Sequence, residues 1–158
     1  MLHFIIYGLL GWCLEIIWTG LGSLLKRDVR LTGKTYLWMF PIYGSVILFE
    51  PVHDFIRHWP VWERGIVWIL LCFSVEYLSG WMLRKILGKV PWNYSRAALN
   101  VHGLIRLDYA PAWFVAGLLF EKIHDWLDQM SLINSLSQHF IEVFLWLQPT
   151  LTLCGLAD

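Results

Sequence analysis

Apolar residues gather in four long runs separated by short polar stretches. The runs cover residues 4–25, 35–56, 66–87 and 110–130, each close to the ~20 residues a helix needs to cross a bilayer. They predict four transmembrane helices. A fifth apolar run, 140–147, is interrupted by Glu142 and stopped at Pro149. It predicts a helix lying in the membrane interface, so the chain divides into a bundle at 1–130 and an amphipathic tail at 131–158. The first run carries no basic n-region and no small-x-small cleavage site, and reads as a span rather than a signal peptide.

Composition agrees. Of 158 residues, 58% are apolar and 15% charged, and the mean hydropathy is +0.55. Soluble domains are markedly less apolar and more charged. The net charge is zero, which excludes a nucleic-acid binder driven by charge. Cys13, Cys72 and Cys154 show no CxxC spacing, which excludes a disulfide framework and a cysteine zinc ribbon. Cys13 and Cys72 read as small core residues.

The bases lie mostly between spans. Lys26, Arg27, Arg30 and Lys34 follow the first, and Arg84, Lys85, Lys89, Arg96 and Arg106 follow the third. Positive loops stay cytoplasmic, so both termini are expected outside, in a bacterial inner membrane. The 84–109 loop, with Pro91, Trp92 and Tyr94, is expected along the inner interface.

The acids are distributed differently. Each span contains one glutamate: Glu15, Glu50, Glu76 and Glu121. An ionised group at the bilayer centre costs about 2.5–3.5 kcal/mol on insertion scales, and almost no Lys or Arg lies at the same depth. Glu50-Pro-Val-His53-Asp54 and Glu121-Lys-Ile-His124-Asp125 repeat one pattern, each preceded by Leu-Phe. Residues three apart share a helix face. One Glu from each of two helices, with Glu-x-x-His from each of two others, is the ligand set of ferritin-like di-metal bundles. Glu15, Glu50, His53, Glu76, Glu121 and His124 are therefore the candidate metal ligands. Four carboxylates balance two divalent cations; iron suits the donors best, with manganese or zinc as alternatives.

The other readings are plainer. A cluster of this kind also suits proton or cation conduction, and a hydrogen-bonded core would suit a single such Glu. Asp54 and Asp125 either orient a ligand histidine or sit in water at the outer interface. Tyr43, two turns before Glu50, is either a hydrogen-bonding neighbour or an ordinary core tyrosine. Pro51 removes a backbone donor and is expected to kink its helix. His3, His58, His102 and His139 fall at span ends or in loops and read as solvated. Gly33-Lys34-Thr35 resembles the end of a phosphate-binding loop, but Asp28 stands where the earlier glycine is needed, and that reading is rejected.

The pattern repeats within the chain. Spans one and three each carry a single Glu, and spans two and four share Leu-Phe-Glu-x-x-His-Asp. This predicts an all-α integral membrane protein: a four-helix transmembrane bundle of two parallel helical hairpins, with a ferritin-like ligand arrangement and a C-terminal interfacial helix.

Gly11-Trp12-x-x-Glu15, Pro41-Ile-Tyr43-Gly44, Glu76-Tyr77-x-x-Gly80, Pro91-Trp-Asn-Tyr-Ser95 and Asn100-Val-His-Gly-Leu-Ile105 carry a resemblance over residues 4–127. The chain resembles the CmpB-like bacterial ABC-transporter permease family and, more closely, its vertebrate relatives called transmembrane protein 229. The resemblance implies a small multi-helix membrane protein, and places the family's glutamate positions on Glu15 and Glu76, with Glu50 and Glu121 as further matches.

The leading expectation is a membrane-embedded di-iron carboxylate protein that oxidises a lipid-soluble substrate with O₂. The alternatives are a divalent-cation transporter or channel using the same Glu/His cluster, and a permease-like subunit of a larger transporter. The expected partners are the lipid bilayer, an apolar small molecule or lipid, and a second copy of the chain.

Overall fold

In a computed structural model of the chain, residues 1–25 and 27–154 are described. Lys26 of the first basic loop and the tail end at 155–158 lie outside them, as do the side chains of the 140–147 run apart from Glu142. The chain is mostly helical, and divides into two compact units after Phe120.

Helix α1 runs Leu2–Leu24 and helix α4 runs Val61–Leu87. At 1.5 Å per residue they are about 34 and 40 Å long, more than the ~30 Å hydrocarbon thickness. Among the described residues these two helices are long and apolar enough to cross a membrane, and only 17% of each apolar window is buried. Leu14, Ile17 and Leu21 on α1, and Leu70 and Leu78 on α4, are exposed. Apolar faces of that extent are stable only against lipid or a partner. The chain is a membrane protein.

The ends of α4 explain its length. Glu63 occupies its first turn, and Arg84 and Lys85 its last, each matching the helix dipole. Gly88, with φ +70°, closes it by returning its N–H to the Arg84 carbonyl at 3.0 Å. Only glycine adopts that left-handed geometry without strain.

The second expected span is not one straight helix. Residues 31–36 run against α1: the Thr19 hydroxyl donates to the Lys34 carbonyl at 3.0 Å and accepts from the Lys34 N–H at 2.8 Å, and the Trp12 indole donates to the Tyr36 carbonyl at 3.0 Å. Helix α2, Met39–Gly44, follows. A 3₁₀ turn at Ser45–Phe49 then leads into helix α3, Glu50–Ile56. Pro51 sits in the first turn of α3, where its missing N–H breaks no bond. The expected interruption is therefore real, and falls just before Glu50.

Close packing ties these pieces together. A Cβ at Gly11 would collide with the Tyr43 ring, so only glycine lets α2 lie on α1 here. Further on, Phe49, His53, Trp68 and Phe120 form one aromatic cluster, with ring centroids 5.3–6.4 Å apart. Trp68 is fully buried.

The loop after α4 is a folded element. Strands β1, Asn100–Val101, and β2, Ile105–Arg106, pair antiparallel. The Trp92 indole donates to the Leu104 carbonyl at 2.9 Å, and the Tyr94 N–H donates to the Gly103 carbonyl at 2.9 Å. Trp92 and Leu104 cover Gly80, and Arg84 donates to the His102 carbonyl at 3.0 Å. Helix α5 starts at Ala110 and runs to Cys154, past the expected boundary at 130. In the second unit, His124 Nε2 lies 3.5 Å from Asp128 Oδ2, one turn along the same helix.

Candidate functional site

The glutamates of the first unit fall into two groups. Glu15 projects from the middle of α1 to meet Thr35, whose hydroxyl donates to Oε2 at 2.5 Å, and faces the Tyr43 phenol. Glu76 projects from α4 and faces the Tyr94 phenol and the Trp113 indole. Both carboxylates act electrostatically on Tyr43, Glu15 the more strongly. Tyr94 also senses Tyr43 and Tyr109. Glu76 Oε2 and Trp113 Nε1 are buried, and neither makes a hydrogen bond. Burial, and then the Glu76 charge, push the Tyr94 phenol far above its ordinary range, so it remains a proton donor at any working pH.

Glu50 belongs elsewhere. Its Oε1 lies 2.7 Å from His3 Nδ1 and accepts from the Tyr7 hydroxyl at 2.8 Å. His3 and Glu15 are twelve residues apart on α1, about 18 Å along the helix axis. His53, three residues on, is buried and packs in the aromatic cluster against Trp68 and Phe120. Glu15 thus meets Thr35 and Tyr43, Glu76 meets Tyr94 and Trp113, and Glu50 joins His3 and Tyr7. Glu121 and His124 lie three apart on α5 in the second unit.

Several smaller expectations change. His3 is not a solvated terminus; it bonds Glu50. His102 is exposed, yet its Nδ1 lies 2.9 Å from the Tyr77 hydroxyl. Cys13 is exposed and faces outward from α1, so it is no core residue. Asp54 pairs with Arg57 at 2.9 Å, and His124 Nε2 lies 3.5 Å from Asp128 Oδ2. Tyr43 is the hydrogen-bonding neighbour of Glu15, not of Glu50.

Sequence reasoning missed Thr35, Tyr94 and Trp113. Tyr94 lies within Pro91-Trp-Asn-Tyr-Ser95, a motif marked by the family resemblance, and that was its one available signal. Trp113 and Thr35 carried none, because only the fold brings them to the glutamates.

The donors around Glu15 and Glu76 are mostly oxygens: two carboxylates, two phenols and the Thr35 hydroxyl, with the Cys72 thiol also sensing the Glu76 charge. Hard oxygen donors suit magnesium, calcium or manganese rather than a soft metal.

Residues 2–156 match the family described as "Putative ABC-transporter type IV", and the chain belongs to that family. No solved structure matches it.

Proposed function

We propose that the chain is a membrane transport protein in which Glu15 and Glu76 bind a divalent cation in transit. The observation that carries this is Tyr43, which senses the charge of two carboxylates from different helices. Two carboxylates balance one divalent charge, and that balance lets them sit at this depth in a low dielectric. The phenols of Tyr43 and Tyr94 and the Thr35 hydroxyl would complete an oxygen shell around the ion. The family description, which names a transporter, supports the same reading.

The di-iron oxidoreductase reading needs Glu15, Glu50, His53, Glu76, Glu121 and His124 around one pair of ions. The ~18 Å between the His3 and Glu15 levels of α1 sets Glu50, bonded to His3, apart from Glu15, which favours the transport reading. Glu50, held by His3 and Tyr7, is instead proposed as a second station nearer the start of α1. In this account the chain crosses the membrane four times, with α2–α3 and the first part of α5 completing the bundle. The basic 27–34 and 84–106 loops are cytoplasmic and both termini are outside.

The test is uptake of Mn²⁺ into proteoliposomes loaded with a quenchable dye. Wild-type protein should admit the ion, and Glu76→Gln should slow uptake at least tenfold while the protein stays folded. Equal uptake by Glu76→Gln, or none by folded wild-type protein, overturns the proposal.

A further inference from the structure

The folded loop after α4 holds a feature that the cation site does not use. Asn93, Tyr94, Arg96, Ala97 and Arg106 line a recess of about 310 Å³. Arg106 is fixed from several directions. Its Nε and Nη2 donate to Asp108 at 3.1 and 2.5 Å, its Nη1 donates to the Tyr109 hydroxyl at 3.3 Å, and its guanidinium lies 4.4 Å from the Tyr109 ring centre and 5.9 Å from that of Tyr94. Asp108 takes the Nε/Nη2 edge, and the N–H left on each of Nη1 and Nη2 is held in one orientation, so little further entropy is lost when the fork meets an anion.

The other lining groups are donors. Asn93 is exposed, and its carbonyl oxygen already accepts from the Ser95 N–H and hydroxyl, which leaves its amide nitrogen for another partner. Among the described residues, neither that nitrogen nor the Arg96 guanidinium donates a hydrogen bond. The surrounding segment, 84–109, holds five bases (Arg84, Lys85, Lys89, Arg96, Arg106) against one acid, Asp108. Exposed Trp81, Ile86, Leu99 and Leu107 flank it, and the Lys85 ammonium lies 5.2 Å from the Trp81 ring centre. Tryptophan and lysine at the edge of an apolar helix mark the headgroup level of a bilayer.

We infer that this recess binds a phosphate group, with Arg96 and the Asn93 amide as the variable contacts and Arg106 as the fixed one. The exposed apolar residues and the Trp81–Lys85 pair beside it favour the headgroup of an anionic phospholipid over free phosphate. The site would hold an anionic lipid against the loop that supplies Tyr94.

The test uses the full chain in a neutral detergent, with lipid occupancy read by native mass spectrometry. Phosphatidylglycerol should be retained over phosphatidylcholine, and Arg96→Gln should weaken retention about tenfold, the range of one charge-assisted contact. Lys85→Gln, a base outside the recess, should change it less than about twofold. Arg96 is exposed, so its variant should keep the wild-type melting temperature; Arg106→Lys, which keeps the charge but loses the fork, supplies a second variant. Displacement of the lipid by millimolar inorganic phosphate, lost in Arg96→Gln, supports a phosphate site open to soluble ligands. Retention without displacement supports a site for lipid alone. Equal binding of the two lipids with no phosphate effect, or equal weakening by Lys85→Gln and Arg96→Gln, overturns the inference.

Discussion

Replacing Tyr43 by phenylalanine removes one oxygen that faces Glu15, within the field of Glu76, and leaves the ring where it is. The ring packs over Gly11, so the junction of α2 with α1 keeps its shape and the variant should fold. What it loses is a hydroxyl that faces Glu15 and senses the Glu76 charge. A hydrogen bond to a charged group is worth about 1.5–3 kcal/mol, and each 1.4 kcal/mol is a factor of ten in affinity. Tyr43→Phe should therefore weaken divalent-cation binding by roughly ten- to a hundredfold, with little change in thermal stability. Isothermal titration with Mn²⁺ in nanodiscs measures the first, and the melting temperature the second. Gly11→Leu should also weaken binding, but by displacing the ring, so it should lower the melting temperature as well. Wild-type affinity in Tyr43→Phe, beside lost affinity in Glu76→Gln, would refute the placement of Tyr43 in the site.

Other expectations follow from the same packing and electrostatics. A Cβ at Gly65 would collide with the Phe114 ring, so Gly65→Ala should destabilise by about 1–3 kcal/mol through overpacking, seen as a lower melting temperature in detergent. Gly103 has φ +69° and its Cβ position is crowded by Ser95; Gly103→Ala should cost about 1–2 kcal/mol and expose Trp92, shifting its emission to the red. Arg106 holds the Asp108 carboxyl below its ordinary range. The stability from that pair is present above the unfolded carboxylate pKa and is lost as pH falls through the lowered folded one. A ¹³C titration of Asp108 should therefore show a depressed midpoint that returns to normal in Arg106→Gln.

What could be read from the sequence depended on how local each cause was. The α1 and α4 spans were legible because long apolar runs with well-placed end charges need little else. The break before Glu50 was legible from Pro51. The facing of Tyr43 was not, because straight-helix periodicity puts it on the Glu50 face. The 3₁₀ turn at Ser45–Phe49 advances about 20° more per residue than an α-helix, so five residues rotate Tyr43 about 100° away. The Glu-x-x-His spacing was correctly placed on helices at Glu50/His53 and Glu121/His124, but spacing fixes only a shared face and not what that face meets. His3 meets Glu50, and His53 meets aromatic rings. The 84–109 loop reads as interfacial from Pro91, Trp92 and Tyr94. Its interlocking depends on hydrogen bonds between residues about ten apart, such as Trp92 to Leu104, and no local pattern announces those.

The most direct test is the Mn²⁺ stoichiometry of the full-length protein by electron paramagnetic resonance, compared across three variants. The account predicts that the ion bound between Glu15 and Glu76 is lost in Glu15→Gln and in Glu76→Gln and kept in Glu50→Gln. Loss in all three to the same degree would contradict it, and would return the glutamates to a single shared centre.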